Sequence, residues 1–146
     1  MSGLNGGSLY RSRNLSMAKI NRQEILDKFS GHCAYCGEEI DLKKMQVDHV
    51  IPQYLFDRKF DMQKKAPKFL KHLNESNKDH VDNLFPACRV CNNWKNTHSL
   101  EQFRKEIGEQ IRRLNEYNSN YRFAKRYGLI QETPKKIVFY FETFGM

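Results

Sequence analysis

Two sets of residues in this chain of 146 have types and spacings that do chemistry. The first is four cysteines in two pairs, Cys33 with Cys36 and Cys88 with Cys91. Two intervening residues let a tight turn aim both sulfurs at one ion. Two such turns complete the tetrahedral thiolate site that zinc takes. Four thiolates leave no open position, so a zinc there is structural. Four unrelated buried thiols, or a redox pair, are the competing readings. The second set lies in VDHVIP, residues 47–52. Strand neighbours face opposite sides, so Asp48 and His49 cannot both point to solvent. Either one of them points inward or the strand ends in a site that uses both.

Fifty-one residues separate Cys36 from Cys88, and VDHVIP lies within that span. A zinc on the four sulfurs therefore closes a loop around the Asp-His pair and draws Asn83, Asn92 and Lys95 toward it. The Asp48 carboxylate and the Asn92 amide oxygen form a hard, incomplete ligand set. Such a set suits magnesium or manganese, with water and phosphate oxygens filling the remaining positions. The His49 imidazole is of the type that takes a proton from water at physiological pH. A general base beside a phosphate-binding cation is equipment for phosphodiester hydrolysis. The alternative for His49 is a satisfied histidine of a zinc-bound scaffold. Asn96, four residues after Asn92, shares its helix face and is either a further ligand or a surface polar group.

The elements that position these residues read as α+β. Residues 21–29 form a short helix, with Asn21 as cap and Glu24 three residues on, as in a capping box. Ile25, Leu26 and Phe29 are its buried face. Residues 45–51 are a strand stopped by Pro52, and residues 83–87 a second extended segment. CRVCNNWKN, from Cys88, opens a helix in which Trp94 packs inward. Ser99 starts a further helix with Gln102 as capping partner. Its stripe of Leu100, Phe103, Ile107, Ile111 and Leu114 is core or interface. Residues 121–127 suggest a short helix, and IVFYF at 137–141 a C-terminal strand. Among the remaining histidines, His32 and His80 read as solvated, and His72 and His98 have no evident partner.

The chain has the size of one domain. Residues 1–18 read as a flexible arm, in which Tyr10, Arg11 and Arg13 are candidate DNA contacts, and residues 19–146 as a single domain. The net charge of +8 favours a polyanion such as nucleic acid. No apolar run is long enough to span a membrane, and the N-terminus lacks a secretory signal, so the expected location is the cytoplasm. Thiols are reduced there, which favours metal over disulfides.

These motifs resemble the HNH endonuclease family with the ββα-metal fold. The carriers are CAYCG at 33–37, VDHVIP at 47–52, DNLFPAC at 82–88 and CNNWK at 91–95. The resemblance covers residues 22–98 as the motif core. It implies a small ββα-metal core with a four-cysteine zinc site, flanking helices and the C-terminal strand. It implies a DNA endonuclease with His49 as general base, Asp48 and Asn92 as ligands of one Mg2+ or Mn2+, and Asn83 bracing the loop that orients the base. Lys95 would be a phosphate contact or a structural tie. The products implied are 5′-phosphate and 3′-hydroxyl ends. The segment between VDHVIP and DNLFPAC exceeds the family's usual loop, so residues 53–80 read as a basic, aromatic insertion. It holds one or two short helices broken near Pro67 and serves for DNA contact or packing. Residues 99–146 are an extension outside the motif.

Two other functions stand beside the nuclease. One is a non-catalytic, zinc-stabilised nucleic-acid-binding module, which has no need of the full set Asp48, His49, Asn83 and Asn92. The other is a toxin-like interaction protein that binds a partner through residues 99–146. The sequence leaves open the target, nicking against double-strand cutting, and whether the protein is monomer or homodimer. The lack of accessory domains is in keeping with a phage or mobile-element origin.

Overall fold

The computed structural model describes residues 20–57, 66–73 and 77–146. The N-terminal arm and much of the basic insertion, 58–65 and 74–76, lie outside them. Among the described residues the architecture is α+β: six α-helices and one two-stranded antiparallel sheet.

Helix α1, Arg22–Asp27, starts where expected, and the Asn21 carboxamide accepts from the backbone N–H of Gln23 and of Glu24. Ile25 and Leu26 are its buried residues. The CAYC turn follows, and Gly37 sits at φ 78°, a left-handed conformation that glycine reaches without strain. A Cβ there would also meet the Tyr140 ring at 2.9 Å.

Strand β1, Gln46–His49, pairs with β2, Leu84–Ala87, with Asp48 opposite Phe85 and His49 opposite Leu84. Pro52 ends the extended run and caps α2, Gln53–Phe56. The insertion continues with a 3-10 turn at Lys68–Leu70, immediately after Pro67, and another at Val81–Asn83 leads into β2. Helix α3, Arg89–Lys95, is capped by Cys88, whose sulfur accepts from the Cys91 N–H. Helix α4, Leu100–Gly108, has Ser99 accepting from the Gln102 N–H. Helices α5, Gln110–Tyr117, and α6, Ser119–Arg126, follow and contain no buried residue.

The core gathers Phe29, Tyr35, Phe85, Phe103, Phe139 and Phe141 beneath the sheet. Phe85, at 1 % exposure, meets the Phe29 ring edge-on at 4.9 Å between centroids. Every residue of β2 is buried, so this small sheet is a core layer with little open face.

Three sequence expectations are corrected. IVFYF at 137–141 is no strand: residues 137–139 join no ladder, and Tyr140–Phe144 forms a 3-10 turn. The segment instead bonds the CAYC turn, Tyr140 N–H to Tyr35 O at 3.0 Å and Phe141 N–H to Ala34 O at 2.8 Å. Phe139 and Phe141 are buried with Tyr140 between them partly exposed, so the alternation was real and only the pairing edge was missing. Trp94 is exposed, lining a shallow apolar groove with Val90, Phe103 and Ile107. The helical stripe is core only at Leu100 and Phe103, because the helix ends at Gly108 and Ile111 turns outward on the next one.

Candidate functional site

The four cysteines converge. All four sulfurs lie within 4.8 Å of one another, and none is in a disulfide. A tetrahedron with metal–sulfur bonds of about 2.3 Å has sulfur–sulfur edges of about 3.8 Å. The Cys36–Cys88 separation is 3.8 Å. That edge matches a zinc tetrahedron, and the four sulfurs together are close enough to hold one ion. Crowding also sets their acidity. A hydrogen bond from the Cys91 thiol holds Cys33 down to about 5, the same bond pushes Cys91 upward, and burial raises Cys36 to about 11. Thiols that obstruct one another's ionisation in this way are relieved by a cation at their centre.

Beside β1 the chain forms an open cleft of about 730 Å³. Asp48 and His49 line it from the strand, Gln53 and Tyr54 from α2, and Asn92 from α3, while Asn96 lines it from just past the helix, at φ 48° and so off the helix face it was expected to share with Asn92. The adjacent polar pair is resolved by strand alternation: the two side chains diverge into different partners.

Asp48 is 4 % exposed and faces inward. The Tyr35 hydroxyl donates to its Oδ2, and the Lys95 Nζ lies 3.0 Å from the same oxygen. Tyr35 keeps its proton, since burial and then the Asp48 charge push its acidity far down. Lys95 is fully buried and also donates to His49 O at 2.8 Å. Burial raises the Asp48 pKa and lowers that of Lys95, and their mutual attraction opposes both shifts. Of the two roles open for Lys95, the geometry carries the structural tie, because an ammonium with no exposure reaches no phosphate.

His49 turns the other way. Its Nε2 lies 2.8 Å from Asp79 Oδ1, and the Gln53 amide approaches the same nitrogen at 3.1 Å. Asn83 does not touch the ring. It is wholly buried, accepts from Ile51 N–H at 2.8 Å, and donates to Ile51 O at 3.1 Å and Lys78 O at 2.9 Å. It therefore ties the chain just after His49 to the chain just before Asp79. The Asn92 carboxamide makes no side-chain hydrogen bond among the described residues, which leaves its oxygen available on the cleft wall.

A carboxylate oxygen accepts in more than one direction, so Asp48 retains capacity beyond Tyr35 and Lys95. Asp48 and Asn92 both line the cleft and both carry oxygen acceptors.

Sequence reasoning missed two residues. Tyr35 lies between the first two cysteines, and its aromatic character read as filler. Asp79 lies in the insertion with no motif around it, and only the fold brings it to His49. The remaining histidines stay apart from the site. His32 Nδ1 lies 2.9 Å from Ser30 O, His80 accepts from the Asp82 N–H, and His72, for which no partner was evident, pairs with Asp82 at 2.9 Å. Among the described residues no helix is long and apolar enough to cross a membrane. No family model, no curated protein and no solved structure matches this chain.

Proposed function

We propose that this protein is a metal-dependent DNA endonuclease of the HNH type, built on a zinc-stabilised core. The observation that supports it most is the single cleft lined together by Asp48, His49 and Asn92. In this reading His49 takes the proton from a water molecule as its oxygen attacks the phosphorus. The bond from phosphorus to the 3′ oxygen breaks, and that oxygen leaves and is protonated. The products are a 5′-phosphate and a 3′-hydroxyl. A magnesium or manganese ion held by Asp48 and Asn92 would supply charge stabilisation at the leaving oxygen. Lys95 and Tyr35 hold the Asp48 carboxylate in place, and Asn83 fixes the backbone beyond His49. A net charge of +8 favours approach of the phosphate backbone.

A second reading, a non-catalytic zinc-stabilised nucleic-acid-binding module, is favoured by one observation. Asp48 already has an internal cationic partner in Lys95. The test is cleavage of end-labelled duplex and single-stranded DNA with Mg2+, with Mn2+ and with EDTA, followed by ligation of the products. Metal-dependent cleavage to ligatable ends supports the nuclease. Salt-sensitive binding with no cleavage under any metal supports the module.

A further inference from the structure

We infer that Asp79 is the positioning residue for His49, fixing the imidazole as its Nε2–H tautomer and making Nδ1 the atom that accepts the proton from water. This rests on the nuclease reading above. Asp79 is 8 % exposed, and a buried carboxylate needs a partner. Its side-chain partner is His49 Nε2 at 2.8 Å. An ionised carboxylate only accepts, so the proton of that bond sits on Nε2. The Gln53 amide nitrogen lies 3.1 Å from the same Nε2, and a flip of the amide, which interchanges its oxygen and nitrogen, would turn the oxygen toward the Nε2–H. Nδ1 is left with its lone pair, and among the described residues it makes no hydrogen bond.

The placement of Asp79 is built rather than incidental. The backbone on either side of it is pinned. Asn83 Nδ2 holds Lys78 O at 2.9 Å, His80 N–H reaches Asn77 O at 2.8 Å, and Asn83 N–H reaches His80 O at 2.8 Å. Asn83 also holds both backbone groups of Ile51. One buried carboxamide therefore sets the spacing of both members of the dyad. An unrestrained neutral imidazole divides its proton between two nitrogens, and only one tautomer offers the lone pair that the reaction needs. When His49 takes the proton it becomes a cation, and the Asp79 carboxylate stabilises that charge.

The experiment uses the full chain with zinc bound. Long-range nitrogen-15 correlation spectra report which His49 nitrogen carries the proton, in the wild type and in Asp79→Asn. The neutral amide keeps the size and presents its NH2 group to Nε2. The expected wild-type signal is Nε2–H with a bare Nδ1, moving to Nδ1–H in the variant. The cleavage rate constant kcat should fall roughly 10²–10⁴-fold, as when the carboxylate of a His dyad is neutralised, with KM, zinc content and thermal unfolding little changed. A wild type that carries the proton on Nδ1, or an Asp79→Asn protein that cuts at the wild-type rate, overturns the inference. A wild type with Nε2–H that moves to Nδ1–H in the variant, yet cuts no DNA, keeps the tautomer control and overturns the nuclease reading instead.

Discussion

Helix α3 serves two sites with opposite requirements. At its first turn Cys91, capped through Cys88, faces three other sulfurs in a closed, soft-ligand cluster. One residue later Asn92 faces an open cleft lined by oxygen donors and an imidazole. The cluster has a full ligand set and no room for substrate. The cleft is open, with about 730 Å³ of space beside its polar side chains, which in the nuclease reading is room for a phosphate. The difference teaches that the same short helix places one side chain in a closed sulfur cluster and the next on the wall of an open cleft. The two are coupled through Tyr35, which sits inside the first cysteine turn and donates to Asp48 across the sheet.

The comparison breaks if the cluster is not structural. Cys88→Ser removes one sulfur and the cap of α3. Structural zinc sites contribute on the order of 10 kcal/mol to folding, so this variant should lose bound zinc and its cooperative thermal transition together. A zinc-free Cys88→Ser protein that unfolds at the wild-type temperature contradicts the assignment.

The cleft side is sharpened by Lys95→Met, which leaves Asp48 buried without its cation. Breaking a buried pair from one side costs about 3–5 kcal/mol. Adding Asp48→Asn should recover much of that loss, read by denaturant unfolding. A single substitution costing less than about 0.5 kcal/mol, the scale of ordinary surface changes, would remove Lys95 from the interior account.

A smaller effect, apart from both sites, reads the burial beside β2 by pH. Lys28 donates to Val81 O and Leu84 O beside β2, and burial lowers its pKa to about 8, against the attraction of Asp82 and Glu24. Between that value and the unfolded value of 10.5 the unfolded chain holds a proton that the fold does not. Raising pH through this window therefore favours the fold, and the gain is lost as pH falls toward 8. Relative to Lys28→Met, wild-type stability should rise by about 1–2 kcal/mol across the window, allowing for remaining solvent contact. A flat difference would contradict the burial of its charge.

What was legible in the sequence followed locality. The two cysteine pairs, the caps at Asn21 and Ser99, and the β1 and β2 segments were readable because each signal spans a few residues. The convergence of Asp48, His49 and Asn92 on one cleft was readable only because the cysteine pairs bracket the first two and the second pair directly precedes Asn92. Asp79 was not readable, since its role depends on a contact thirty residues away across an insertion without periodicity. Residues 137–141 misled because alternation reports which side chains are buried and says nothing about whether a strand edge is free to pair. Trp94 misled for a related reason: an apolar residue on a short helix does not declare which face meets the core.

The most direct test of the account compares wild type with His49→Ala on supercoiled plasmid in Mg2+, with zinc content and thermal unfolding measured on both. The account predicts nicking or linearisation by wild type that EDTA stops. It predicts equal zinc and near-equal unfolding temperature in the variant, with cleavage lower by about 10²–10⁴-fold, the usual contribution of a general base. A folded, zinc-loaded wild type that leaves every plasmid intact, or a His49→Ala protein that cuts as fast as wild type, would contradict it.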